Sequence, residues 1–274
     1  MLRTLKDLEK CTISAIDGDI GQVKDFYFDD QAWVIRYLVV DTGSWLSRRK
    51  VLISPISIQR PDWAGHRLPV GITKEQVRNS PDIDTDQPVS RQHEVQYLGY
   101  YGYANYWGGA GLWGGGMVPF AMYPGYAGLP GERSEPGGVN ADIEQAERAR
   151  HRDDDPHLRS CKAVLGYRIQ ATDGEVGHVA GLLVDDETWA VRYFVVETGH
   201  WWAGHQVLIA PQWIAGLHWS DETVAVEMSR EAVRSAPPYD PAATLDRSAE
   251  SGLYAHHGRP PYWKADDPAR ERRT

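Results

Sequence analysis

The sequence predicts a mainly β protein: two tandem small β-barrels of five or six strands, each with a short helical tail, joined by a linker. Three observations predict it. The chain matches itself without a gap at an offset of 156 residues, 2–107 against 158–263, with 36 of 106 positions identical, which marks a duplicated unit. Near the start of each copy an Asp-Gly pair, Asp17-Gly18 or Asp173-Gly174, separates two apolar runs, as a tight hairpin requires. The stretch WVIRYLVVDTGSW at 33–45 returns as WAVRYFVVETGHW at 189–201. Both of its alternating faces are mostly apolar, so it reads as a strand covered on both sides.

In order, the strand returning from the first hairpin is expected over about Ile20–Phe28 and Val176–Val184. A second turn falls at Asp29-Asp30 and Asp185-Asp186, where aspartate bonds its own backbone. The repeated stretch is the third strand, VLISP (51–55) and VLIAP (207–211) supply the fourth, and alternation at Ile56–Ile58 and near Val70 adds one or two more. So many short strands in about 70 residues favour a small barrel. Thr73 with Gln76 then forms a capping box for a short helix stopped by Pro81, whereas Ser229 with Ala232 keeps half of that box. A further helical piece is expected over Ser90–Leu98.

These elements set the organisation as repeat 1 over 2–107, a linker over 108–157 and repeat 2 over 158–263. From Val95 to Gly131 the chain has no charge, and 11 of 37 residues are glycine, three proline and ten aromatic. Internal glycine costs a helix roughly 1 kcal/mol each, so this segment reads as irregular, aromatic and partly packed, not as a membrane span. Lipid binding by residues 95–131 is a minor reading. The linker then becomes strongly polar, with a short helix expected at Ala141–Arg150.

Charge and composition remove several function classes. A formal net charge of −9 and pI near 5.6 oppose nucleic-acid binding, which needs clustered cations. Cys11 and Cys161 are the only cysteines, and they align with Tyr167 and Leu5. A reducing cytoplasmic location is expected. The segment MLRTLKDLEK lacks the apolar core of a signal peptide, and no run of about 18 apolar residues occurs, so no transmembrane segment is expected. Gly109, Gly111 and Gly114 satisfy G-x-G-x-x-G, yet glycine- and tyrosine-rich linker surrounds them where a nucleotide fold needs a strand and a helix. The histidines have no matched histidine or cysteine in the other copy. No catalytic residue, metal or cofactor is expected, and the chain reads as no enzyme. The rival reading is a small-molecule or metal site between the barrels using His178, His200 and His205.

What recurs is mainly residues of shape. Four tryptophan pairs match, Trp33/Trp189, Trp45/Trp201, Trp63/Trp219 and Trp107/Trp263, and are expected to pack, with a partner-binding surface as the alternative. Arg36 and Arg192 recur inside an apolar strand and need partners. If the hairpin pairs residues summing to 61, Asp25 stands opposite Arg36, while its equivalent is Gly181. Anchoring an acidic group of a partner is the alternative role. The candidate interaction set is therefore Arg36, Thr42, Gly43 and Trp45 in repeat 1, and Arg192, Thr198, Gly199 and Trp201 in repeat 2.

The motifs DG-[DE]-[IV]-G-x-V, DD-x-x-W-x-[VI]-RY-[LF]-VV-[DE]-TG-x-W and VLI-[SA]-P occur in both copies. In them each unit resembles the PRC-barrel family, found in the cytoplasmic domain of the photosynthetic reaction centre H subunit and in a ribosome maturation factor. The resemblance implies a six-stranded barrel serving as a scaffold and protein-interaction module without enzymatic activity, in a tandem bacterial arrangement. It further implies protein partners or self-association, an accessory role in photosynthetic electron transfer, and a place peripheral to the inner membrane. No functional acid of the H subunit carries over to a residue here.

Overall fold

The computed structural model describes residues 1–81, 89, 91–107, 111–124, 158–199 and 205–265. It is mainly β, with two sheets and six helices among the described residues. The chain divides into two compact units. The first holds Met1, Arg3–Ala163 and Val184–Arg192, and the second holds Leu2, Val164–Leu183 and Tyr193–Thr274.

The first sheet contains β2 (Thr12–Ala15), β3 (Gly18–Asp29), β4 (Val34–Asp41), β5 (Lys50–Ile53) and β6 (Arg67–Pro69), in the order β5-β4-β3-β2-β6. A sixth strand, β7 (Leu158–Ser160), comes from the start of the second repeat and pairs with β3 through Tyr27↔Ser160 and Asp29↔Leu158. The first hairpin turns on Ile16-Asp17, with positive φ on Gly18 alone. Asp17 instead accepts the backbone N–H of Lys74 at 2.8 Å, and Asp173 does the same for Arg230 at 2.7 Å. The turn aspartate of each copy thus ties its hairpin to a helix start.

The expected register of the next hairpin is corrected. Asp25 faces Val39, not Arg36, because the ladder starts at Asp29↔Val34 and an irregularity between Tyr27 and Phe28 shifts it by one more residue. The turn is also longer than Asp29-Asp30. It spans residues 30–33 and closes with Trp33 at φ 56° and its N–H bonded to the Asp29 carbonyl. Trp189 repeats this at φ 60°, bonded to Asp185. A bulky residue in the left-handed region is strained, and both copies keep it. In the first unit the two turns join edge to edge, with Ile35 N–H on the Trp189 carbonyl and Val191 N–H on the Trp33 carbonyl.

The second sheet runs β11 (His205–Ile209), β10 (Val191–Thr198), β9 (Gly174–Asp185), β8 (Arg168–Ala171), β13 (Thr223–Val226), β12 (Ile214–His218), with β1 (Leu2–Thr4) added on β9. Among the described residues neither sheet closes into the expected barrel. In the first, the chain leaves β5 at Pro55, and the edge polar groups go to a helix: Tyr97 Oη donates to the Leu52 carbonyl and accepts from Ser54 N–H, both at 3.1 Å. In the second, Gln206 and Val207 of β11 are met by Tyr239 and Pro238.

The helices are α1 (Leu5–Glu9), α2 (Lys74–Arg78), α3 (Arg91–Tyr101), α4 (Arg230–Arg234), α5 (Arg247–His256) and α6 (Tyr262–Ala265). Thr73 and Gln76 make the full capping box of α2, and Ser229 caps α4 through Ala232 N–H alone. The tail helix α3 runs past Leu98 to Tyr101. The expected helix at Ala141–Arg150 lies outside the described residues. No described helix is long and apolar enough to cross a membrane.

Candidate interaction surfaces

Each repeat buries one carboxylate where its helical tail meets the sheet. Glu94 of α3 accepts from the hydroxyls of Tyr37 and Tyr106 and pairs with Arg91 at 2.9 Å. At the same offset of 156, Glu250 of α5 accepts from Tyr193 at 2.8 Å and Tyr262 at 3.1 Å and pairs with Arg247 at 3.2 Å. Each arginine also lies over a matched indole, Arg91 at 4.3 Å from the Trp107 ring centre and Arg247 at 4.2 Å from that of Trp263. Burial raises the Glu94 carboxyl to about 7, against the opposing pull of Arg91 and the Tyr106 hydrogen bond. This cluster clamps the tail onto strands β4 and β10. Sequence reasoning passed over it, although the signal was present as identities at 91, 94, 106 and 107 in the self-match.

Arg36 and Arg192 find their partners in the doubled aspartates. Arg36 Nη2 contacts Asp29 Oδ2 at 3.3 Å while its Nη1 donates to the Leu112 carbonyl at 2.6 Å. The guanidinium lies over two rings that meet edge to face, Tyr106 at 3.8 Å and Trp113 at 4.8 Å from their centres. Arg192 contacts Asp185 Oδ2 and Thr188 Oγ1 at 3.5 and 3.4 Å. Asp25, released from that role, accepts from Ser160 Oγ at 2.5 Å, and burial raises its carboxyl pKa. Each turn aspartate therefore caps its own loop, Asp29 from Gln31 and Ala32 N–H and Asp185 from Glu187 N–H, and holds the strand arginine.

Of the candidate interaction residues, Arg36, Arg192, Thr42 and Thr198 are buried. The two threonines close the loop after their strand, on the carbonyls of Arg49 at 2.7 Å and His205 at 3.0 Å. A matched glycine makes room for that loop: a Cβ on Gly21 would lie 1.9 Å from the Asp41 carbonyl oxygen, and one on Gly177 2.1 Å from that of Glu197. Gly43 and Trp45 are half-buried and Gly199 is exposed. Trp201 lies outside the described residues. The Trp45 indole donates to the Ile20 carbonyl and carries Lys74 Nζ at 4.4 Å from its ring centre. Trp63 likewise lies under Arg3 at 3.7 Å. Matched tryptophans at 33, 45, 63, 107, 219 and 263 are all half-buried. Among the described residues the indoles closed off from solvent are Trp113, Trp189 and Trp213, and of these Trp189 alone has a matched tryptophan.

His205 Nε2 lies 3.0 Å from the Arg234 carbonyl, His178 sits on β9 opposite Arg168, and His200 is outside the described residues. Among the described residues no group of three or more His, Cys, Asp or Glu is disposed to hold a metal. The glycine pattern at Gly109, Gly111 and Gly114 ends in a tight backbone loop, Gly111 N–H on the Gly114 carbonyl at 2.8 Å, where a dinucleotide fold would start a helix.

Residues 3–76 match the family model of the PRC-barrel domain, the span from β1 into α2. The chain thus carries a PRC-barrel domain in its first repeat. An uncharacterized protein of Deinococcus radiodurans is 35% identical over 78 residues, which is 28% of this chain and 28% of that protein. The matched stretch spans little more than a quarter of that relative's length.

Proposed function

We propose that this chain is a non-enzymatic scaffold that binds other proteins, self-association included, through half-exposed tryptophans on its loops. The observation that carries this reading is how the repeated residues are used. Aspartates hold turns, threonines close loops and a buried Tyr–Glu–Arg–Tyr cluster clamps each tail, while indoles stay half-exposed beside cations at Trp45, Trp63, Trp107 and Trp263. Tryptophan and arginine are the side chains on which protein interfaces most depend. The PRC-barrel domain at residues 3–76 supports the same reading.

The test is co-purification of the full chain under native conditions, with Trp45→Ala and Trp201→Ala variants shown to be folded by their melting temperatures. Loss of a stoichiometric partner in the variants is expected. Unchanged recovery would overturn the tryptophan loops as the contact. The finer version, an accessory of photosynthetic electron transfer at the inner membrane, is supported by the family resemblance alone. It predicts reaction-centre polypeptides in the recovered fraction.

A further inference from the structure

An apolar groove of about 620 Å³ opens on the first unit, within the size range of small-molecule and peptide sites. Its walls include Pro55, Pro61, Pro119, Phe120, Tyr123 and Trp189. Val118 and Phe120 each remain 39% exposed, and with Met117 they supply three of the seven large exposed hydrophobics among the described residues. The Phe120 and Tyr123 rings lie nearly parallel, 13° apart, and Tyr123 is fixed by its hydroxyl on the Gly71 carbonyl at 2.5 Å. This aromatic shelf is held in place while its outer edge meets water.

The backbone of the groove decides what it can recognise. Two of its sides are single 3-10 turns, Pro55–Ser57 and Pro119–Met122, and three lining residues are prolines without an N–H to offer. Strand addition needs a row of free backbone groups, and these walls do not provide one. A polyproline II segment needs none: it has no internal hydrogen bonds and presents ring faces that stack on aromatics. The rim adds charge. Asp186 is already neutralised by the Met1 ammonium at 2.6 Å and Arg3 at 2.7 Å, whereas Glu187 and Arg60, both exposed lining residues, form no ion pair among the described residues.

We propose that this groove docks a proline-rich, extended segment of a partner protein that carries a basic residue to meet Glu187 and an acidic one to meet Arg60. The proposal rests on the scaffold reading and names a surface and a partner chemistry for it. The test is fluorescence anisotropy of the full chain with a labelled peptide of one arginine, eight prolines and one aspartate. Saturable binding is expected, weakened about tenfold by Phe120→Ala. Glu187→Lys should weaken it about fivefold and restore affinity for the same peptide with glutamate in place of arginine. Both positions are solvent-exposed, so unchanged melting temperatures verify the fold. Absent binding, equal binding by Phe120→Ala, or equal binding of a glycine-serine peptide would overturn the proposal. So would a dimer of the free chain that Phe120→Ala dissolves, since a second copy would then be the occupant. If the peptide fails while the Trp45 and Trp201 variants still lose their partner, the groove proposal falls and the scaffold reading stands.

Discussion

The two repeats share a tail clamp but fill their cores differently. In the second, Trp213 is buried against Tyr254 and His257, with ring centres at 5.2 and 4.8 Å. The equivalent position in the first is Ser57, whose hydroxyl donates to the Ser54 carbonyl at 2.8 Å. The first repeat instead recruits aromatics from its tail and linker: Tyr97, Tyr101 and Tyr103 contact in series, and Trp113 closes over Arg36. Duplication preserved the polar fasteners while the apolar filling diverged. Polar geometry tolerates little change because a buried charge or N–H without a partner is costly, whereas volume can come from any nearby side chain.

That contrast can be broken first at the indoles. Trp213→Ala should cost the second unit about 4 kcal/mol, the range for emptying a buried aromatic site, while Ser57→Ala should cost about 1 kcal/mol. Urea unfolding followed by circular dichroism measures both, and equal losses would refute the division of labour. Next come the strand arginines. Arg36→Met leaves Asp29 buried beside aromatics and should cost about 3 kcal/mol. Arg192→Met should cost less, because Asp185 is twice as exposed as Asp29, 18% against 9%, and its contact is longer. A larger loss at Arg192, read from the same denaturant curves, would reverse the ranking.

A change in pH should act less than loss of Trp213 or Arg36. Folding raises the Glu94 carboxyl from an ordinary value near 4.5 to about 7, so the folded state holds a proton that the unfolded chain releases. Its stabilising contribution is fully present below about pH 4.5 and is lost as pH rises through about 7. Between about pH 5 and pH 8 the first unit should lose about 2 kcal/mol. Glu94→Gln should flatten that slope in melting curves taken across the range, and an unchanged slope would remove Glu94 as its cause.

Much of the local structure was legible in the chain. The self-match placed β3, β4, β5 and their counterparts, Asp-Gly marked the hairpins, and Thr73 with Gln76 marked a helix start that forms as a full capping box. The helix Leu5–Glu9 was missed, although Thr4 caps it through Asp7 N–H at 3.1 Å, because five residues are too few for a periodic pattern. Trp45 was legible as a loop residue, but the burial of Thr42 and Arg36 beside it was not. A threonine that closes a loop and one that faces a partner look alike in sequence.

The sequence by itself determined the duplication, the mainly β class and the identity of the repeated polar residues, since local turn, cap and alternation rules act within a few residues. Only the tertiary structure decided which partners those residues take. The longer turn and the unpaired place of Arg36 in β4 take it away from Asp25 and give it Asp29, and a strand from the second repeat claims Asp25 through Ser160. It also decided that the first sheet stays open, because Tyr97 of the tail satisfies the β5 edge that a barrel would have paired. Register and edge pairing depend on residues far apart in the chain, and no local pattern encodes where those distant groups come to lie.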